Sequence, residues 1–264
     1  MISPPSSVAF SINGFDIHYY GLIMFAAITT AVLIICFVAK KYYKSVDTDL
    51  ILDILPVIIL SSIFCARLYY VAMDWRFYST HLKEIIALWH GGMSIHGGIL
   101  GGVVSGLIFA KIKKINFLKY ADVFSFGLVV GQAVGRFGNY FNCEAFGRPC
   151  SIPYLGLYIP PSFRPVGFED VAYYHPAFLY ESIWDVLVFL ILFFFIRKIS
   201  GIKDGTVFFS YLILYSLGRF FIEWCRLDSV LNIGSMPVAQ IVSILIILFA
   251  VSALLLIYKK KGKN

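Results

Sequence analysis

The chain is 264 residues long, 59% hydrophobic and only 14% charged, with a mean hydropathy of +0.82. A soluble domain of this size does not have that composition, so the chain reads as an all-α polytopic membrane protein. The formal charge of +7 does not point to nucleic acid, because the basic residues sit in short runs between apolar segments, which is a topology signal.

In chain order, Met1 to Ile12 lacks a basic n-region and reads as a short outside segment rather than a cleaved signal. Apolar runs then predict about seven spanning helices: Tyr19–Ala39, Leu50–Met73, Ile95–Ala110, Tyr120–Val134, Pro176–Ile196, Gly205–Trp224 and Pro237–Tyr258. The connection from Gly138 to His175 is long and rich in Pro, Gly and Tyr, so a small, partly stranded cap is expected there. Orientation follows from the lysines and arginines. Lys40, Lys41 and Lys44 follow the first span, and Lys111, Lys113, Lys114 and Lys119 the third. Arg197, Lys198 and Lys203 follow the fifth, and Lys259, Lys260, Lys261 and Lys263 the seventh. These are fourteen of the 22 basic residues. The opposite loops hold only Arg76, Lys83, Arg148, Arg164 and Arg226. The positive-inside rule therefore puts the N-terminus outside and the C-terminus in the cytoplasm, with the cap on the periplasmic or extracellular face.

That orientation sets depth. Tyr20, Arg67, His96, Arg136, the stretch from His175 to Asp185, and Arg219 with Glu223 all fall toward the outer face. Six of the seven spans thus contribute polar groups at one level of the bilayer. Ionisable residues inside a membrane are expensive and mark a site or a pathway. A transporter or channel for a lipid or anion is the rival reading, but it predicts polar residues along the full depth, and the inner half of each span is nearly uncharged.

Four constellations carry the chemistry. The run Gly135-Arg136-Phe137-Gly138-Asn139-Tyr140-Phe141-Asn142-Cys143-Glu144-Ala145-Phe146-Gly147-Arg148-Pro149 follows an apolar stretch and begins where the helix is expected to leave the bilayer. One arginine at a helix end would suit headgroup contact. Two arginines flanking Asn139 and Glu144, among glycines that let backbone approach a ligand, suit a phosphate grip. Between His90 and Gly102, two histidines stand among six glycines. Gly98, Gly102 and Gly106 have the spacing of close helix packing, whereas the glycine pairs flanking His96 would let a lipid headgroup reach its imidazole, a candidate proton acceptor near pH 7. His90 is the weaker candidate. In Gly218-Arg219-Phe220-Phe221-Ile222-Glu223-Trp224-Cys225-Arg226, Arg219 and Glu223 share a helix face and should pair, with Arg226 a turn on. Finally, His175-Pro176 opens the fifth span, and Glu181 with Asp185 gives it an acidic face to hold Arg67, Arg136 or Arg219.

Five cysteines, Cys36, Cys65, Cys143, Cys150 and Cys225, show neither C-x-x-C spacing nor a histidine pair, so no zinc or iron–sulfur site is expected. Cys143 and Cys150 share one loop, but a required disulfide is not expected. There is no nucleophile elbow, zinc helix or P-loop, and neither the nucleophilic histidine nor the metal cluster that a lipid-phosphate phosphatase would need. Fixed cations and one base, without a nucleophile, suit a reaction in which both reactants are brought in and one carries a departing phosphate.

In this order, the H-G-G-M-S-I-H-G-G, G-R-F-G-N-Y-F-N-C-E-A-F-G-R-P, H-P-A-F-L-Y-E and G-R-F-F-I-E-W-C-R runs closely resemble the bacterial prolipoprotein diacylglyceryl transferase family, along the whole chain. The resemblance implies a single integral membrane transferase domain over 1–264, with 138–175 an outward-facing cap within it. It implies transfer of a diacylglyceryl group from phosphatidylglycerol to the lipobox cysteine of a prolipoprotein signal peptide, with release of glycerol phosphate and no metal or cofactor. The expected partners are those two substrates and the lipid bilayer, not nucleic acid, at the bacterial cytoplasmic membrane with the site toward the outer leaflet. Carried over by position, His96, Arg136 and Arg219 are catalytic. Tyr20, Arg136, Asn139, Glu144, Gly147, Glu223 and Arg226 bind substrate. The expected chemistry is thiol attack on the glycerol carbon bonded to phosphate, with His96 taking the thiol proton and Arg136 and Arg219 holding the phosphate.

Overall fold

A computed structural model of the chain describes residues 6–12, 14–88, 91–152, 154–227, 232–234 and 236–259. His90 and the tail lysines Lys260, Lys261 and Lys263 lie outside the described residues. A hairpin of β1 (Val8–Ile12) and β2 (Phe15–His18) leads directly into α1 (Tyr19–Tyr42). Then come α2 (Thr48–Met73), the single turn α3 (Trp75–Tyr78), a 3-10 turn at Leu82–Ile86, α4 (Ile95–Ile112) and α5 (Phe117–Phe141). Strands β3 (Leu157–Tyr158) and β4 (Tyr173–Tyr174) pair antiparallel ahead of α6 (Ala177–Phe194) and α7 (Thr206–Glu223). The pair β5 (Asn232–Ile233) and β6 (Met236–Pro237) precedes α8 (Val238–Lys259). Seven of these helices are long and apolar enough to cross a membrane, so the chain is a multi-pass, mostly helical membrane protein. It divides into two compact units, one of residues 1–38 with 121–264 and one of residues 39–120.

Within the first unit, helix contacts are set by small residues where backbones must meet. A Cβ on Gly127 would lie 2.4 Å from Ile35 Cγ1, and one on Gly131 3.2 Å from Ala31 Cβ, so these glycines let α5 lie against α1. A Cβ on Gly218 would lie 2.1 Å from Trp184 Cδ1, and the Trp184 indole donates to Leu214 O at 2.9 Å, which lays the ring flat on α7. The Ser182 hydroxyl, donating to Ala133 O at 2.8 Å, fixes the register of α6 on α5. Gln240 of α8, 2% exposed, donates to Phe220 O at 3.1 Å and holds α7 from its other side.

The start of α7 has no side-chain cap of its own; Gly205 stands there at φ +94°. Asp122 of α5 supplies the cap by accepting the N–H groups of Gly205 and Phe208, each at 2.7 Å. A carboxylate suits a helix N-terminus because four amide N–H groups there lack partners and the dipole favours negative charge. Asp122→Ala is expected to cost about 2–4 kcal/mol, since it strands one buried and one half-buried N–H group. The thermal unfolding midpoint in detergent checks this; an unchanged midpoint would remove Asp122 from the framework.

The seven spans fall where the apolar runs put them, with one consequential shift. The fourth, expected to end at Val134, continues to Phe141, so the first half of the arginine run is helix rather than exit loop. Gly135 and Gly138 do not break it because they face α1: a Cβ on Gly135 would sit 3.6 Å from Met24 Sδ, and one on Gly138 2.9 Å from the Tyr20 ring. The connection then folds on a small core of its own, with Phe146, Leu157, Ile159 and Tyr174 buried together against Phe178. Each fully buried side chain of that kind contributes about 1.5–3 kcal/mol. The segment from Gly147 to Cys150 runs between two neighbours. Gly147 N and Cys150 N donate to His175 O and Tyr173 O, and Arg148 N donates to Cys225 O. The segment after α7 is thereby tied to the start of α6.

In the second unit, Asp47 caps α2 by accepting Asp49 N–H at 2.9 Å, and α4 packs on α2 through Gly97 and Gly101 as well as the expected Gly102, whose Cβ would lie 2.9 Å from Ser62 Oγ. A Cβ would lie 2.3 Å from Cys65 O at Gly97 and 2.6 Å from Ser61 O at Gly101, but 3.7 Å from its nearest neighbour at Gly98. The glycines around His96 are therefore spent on backbone conformation and helix packing, because Gly91 and Gly92 also take left-handed φ of +80° and +76°. A Cβ on Gly91 would meet nothing within 4 Å, and His96 itself stays exposed.

Candidate active site

Glu181, on the second turn of α6 and only 4% exposed, collects three arginines from other segments. Arg136 Nη2 of α5 approaches its Oε2 at 2.6 Å, Arg219 Nη1 of α7 its Oε1 at 2.7 Å, and Arg226 Nη1 the same Oε1 at 2.8 Å. Arg219 Nη2 also pairs with Glu223 Oε2 at 2.8 Å, the expected i,i+4 contact, and Arg226 Nε lies 4.0 Å from that oxygen. The carboxylates are buried while the guanidinium side chains keep 21%, 22% and 12% of their surface for Arg136, Arg219 and Arg226. Burial of this kind costs unless every charge is paired, so the two glutamates fix the forks in place.

Asp185, one turn after Glu181, is 2% exposed, and its Oδ2 has no hydrogen-bond partner among the described residues. The acidic face of α6 thus holds Arg136 and Arg219 as expected. Arg67 is the correction. It belongs to the other unit, and all its donors go to backbone carbonyls at Glu84, Ile85, Ala87, Gly91 and Gly92.

Two neighbours of the cluster escaped the sequence reading. Arg136 Nη2 donates to Tyr215 OH at 3.3 Å, and Tyr211 OH donates to Gln132 Oε1 at 2.9 Å, with the two tyrosine rings 5.9 Å apart. The signal was present, since Tyr211, Tyr215, Arg219 and Glu223 recur every four residues and share one face of α7.

A second polar patch adjoins the first. Asn139 lies one turn beyond Arg136 on α5. Its Nδ2 donates to Glu144 Oε2 at 3.3 Å, and Asn142 Nδ2 donates to Glu144 Oε1 at 3.4 Å. Cys143 and Ala145 both take left-handed φ, 55° and 53°, although neither is glycine. They turn inward into the core of the connection while Glu144 between them stays exposed. Such backbone costs of order 1–3 kcal/mol per residue and persists where surrounding structure fixes it. Tyr20 packs its ring over Gly138 and lies within electrostatic reach of Glu144 and Arg136. Gly147 is buried, and a Cβ there would meet Cys225 O at 2.7 Å and His175 Cβ at 2.9 Å. Close backbone approach explains that glycine. His96 belongs to the second unit, exposed on the first turn of α4 with its ring 6.1 Å from that of Tyr69. It has no hydrogen bond to a described residue.

All five cysteines are free. Cys143 is the buried one, and burial first, then the neighbouring Glu144, pushes its thiol pKa up from the ordinary value. A thiol held protonated is a poor nucleophile. A variant with all five cysteines replaced by Ser or Ala should keep transfer within a few-fold of the parent, measured as product per folded protein. Loss of activity on changing Cys143 alone in folded protein would instead indicate a covalent enzyme intermediate.

The sequence comparisons bear on the family. A family model described as prolipoprotein diacylglyceryl transferase matches residues 7–257. The phosphatidylglycerol–prolipoprotein diacylglyceryl transferase of Trichormus variabilis is 42% identical over 265 residues, 99% of this chain and 93% of the relative. The protein of that name from Listeria innocua is 41% identical over 264 residues, 100% of this chain and 93% of the relative. The Synechocystis one is 40% identical over 258 residues, 96% and 90%. With a match of that extent and identity, the chain belongs to the prolipoprotein diacylglyceryl transferase family.

Proposed function

We propose that the Glu181 cluster and the adjoining Tyr20–Asn139–Glu144 patch are where this chain performs the reaction of its family. It transfers the diacylglyceryl group of phosphatidylglycerol to the lipobox cysteine of a prolipoprotein signal peptide. The observation that carries the assignment is three arginines fixed on buried glutamates, each with part of its side-chain surface still open. A phosphodiester monoanion is the ligand such forks suit, bidentate and charge-assisted. In the reaction the thiol sulfur attacks the glycerol carbon bonded to phosphate. The carbon–sulfur bond forms, the carbon–oxygen bond breaks, and glycerol phosphate leaves with the electron pair. Arg136 and Arg219, with Arg226 beside them, stabilise charge growing on the leaving oxygen, the task of preorganised cations in a dry site. Glu223, like Glu181, holds the forks. Tyr20, Asn139 and Glu144 orient the glycerol headgroup, and Gly147 lets the chain beneath them close up. His96 takes the thiol proton.

The distribution of lysine and arginine supports an N-out, C-in arrangement, with residues 138–175 as an outward cap of a single domain over 1–264 and the site in the outer leaflet. The bilayer supplies both substrates laterally. The test is to incubate purified protein with phosphatidylglycerol and a lipobox peptide and look for the thioether product by mass. Product is expected with the cysteine peptide and not with a serine one. Absence of product in folded, lipid-reconstituted protein would contradict the assignment.

A further inference from the structure

Arg67 of α2 is 6% exposed and has no part in the cluster on Glu181. A guanidinium carries five N–H donors. Here Nε donates to Ile85 O at 3.0 Å, Nη1 to the carbonyls of Gly91 and Gly92, and Nη2 to those of Glu84 and Ala87. Every donor is used, so none is left for a phosphate. Tyr78, itself buried, stacks its ring 5.3 Å from the guanidinium carbon.

The place of this clamp in the fold gives it meaning. Arg67 stands six residues before Met73, the last residue of α2, so its grip is about 9 Å inside the end of that helix. The segment following α3 must therefore return to that depth, and its described residues Ala87 and Gly91 to Ser94 lie outside any helix. Irregular backbone at membrane depth is tolerated only where its polar groups are satisfied by protein. Arg67 does that for five carbonyls at once, while Leu82, Ile86 and Met93 point outward, 63%, 74% and 55% exposed, as a lipid boundary allows. The left-handed φ of Gly91 and Gly92 lets two successive carbonyls address one nitrogen, and a Cβ on Gly92 would lie 2.7 Å from Nη1. Directly afterwards Ser94 N donates to Ala66 O at 3.1 Å, and Gly97 seats α4 on α2. His96 stands between these two fastenings.

We propose that Arg67 is a positioning residue for the transfer reaction: its five-carbonyl clamp fixes residues 84–87 and 91–92 at membrane depth and so sets where His96 is presented. This rests on the reading of His96 as the proton acceptor. The test uses Arg67→Lys, which keeps the charge but offers three donors for five carbonyls, and Gly92→Ala, which leaves the arginine intact but obstructs its seat. Both are reconstituted in phosphatidylglycerol-containing nanodiscs. Amide hydrogen exchange is followed over 84–94 and, as a folding control, over α5 to α7; kcat and KM for phosphatidylglycerol are measured alongside. Exchange over 84–94 should rise selectively, and kcat should fall about 10- to 100-fold with KM nearly unchanged, as misplacement of a reacting group would produce. Unchanged exchange in both variants would overturn the clamp. Selective loosening with parent kcat would overturn the positioning role. Loosening throughout α5 to α7 would assign Arg67 to general stability and overturn it too. His96→Gln is run in parallel: if that variant turns over like the parent, the proton-acceptor reading beneath the proposal has failed, even where the clamp itself is seen.

Discussion

Arg219→Ala is expected to lower transfer at least about 1,000-fold while the protein still inserts and its remaining helices stay assembled. On the proposed assignment the deletion removes a fork that holds the substrate phosphate, and loss of one preorganised donor alone costs about 100- to 1,000-fold in rate. It also strips Glu181 and Glu223 of a shared partner at 2.7 and 2.8 Å, and breaking a buried pair from one side costs about 3–5 kcal/mol. Stability and chemistry must therefore be separated by measuring the unfolding midpoint together with single-turnover rate. Arg136→Lys makes that separation cleaner. Lysine keeps the charge near Glu181 but cannot bridge Glu181, Tyr215 and a phosphate with a planar fork. It should fold normally and still lose about 100-fold. Parent activity in the lysine variant would show that charge alone suffices, and parent activity in folded Arg219→Ala would remove the arginine from the site.

The second large effect concerns the proton. His96→Gln is expected to leave phosphatidylglycerol binding intact and slow transfer about 100- to 10,000-fold near pH 7, the usual range for loss of a general base. A free thiol ionises near pH 8.5, so the variant should gain about tenfold per pH unit below that value as the substrate thiolate forms unaided. The gap to the parent therefore closes as pH rises. A variant inactive at high pH with binding retained would give His96 another duty, such as donating to the leaving phosphate. Loss of lipid binding would make His96 a headgroup ligand.

What could be read from sequence follows from how each feature is encoded. Spans are encoded by apolar length, and α1, α2 and α8 lie close to where the runs put them. The end of α5 was misplaced by seven residues because glycines and an arginine look like an exit. Only contact with α1 at Gly135 and Gly138 shows why they remain helical. The pairing of Arg219 with Glu223 was legible because i,i+4 spacing is local. The three-arginine convergence on Glu181 was visible only as a charge complement. Tyr215 carries no charge to mark it as a site residue, although its spacing from Arg219 places it on the same face. Arg67 was placed beside Arg136 and Arg219, as a possible partner of the acidic face of the fifth span, on depth alone. Its five carbonyl partners come from a loop whose path no local pattern encodes, and they show that depth does not determine what a side chain is free to bind.

The cluster's assignment as the phosphate site is tested most directly by a phosphatidylglycerol carrying a diazirine on its glycerol headgroup. The probe is photolysed in reconstituted protein and the labelled peptides are mapped by mass. Adducts are expected in the segments around Arg136–Glu144 and Tyr215–Arg226, and competition by unlabelled phosphatidylglycerol should remove them. Adducts confined to other segments, with those two unlabelled at saturating lipid, would contradict the placement of the phosphate on Arg136, Arg219 and Arg226.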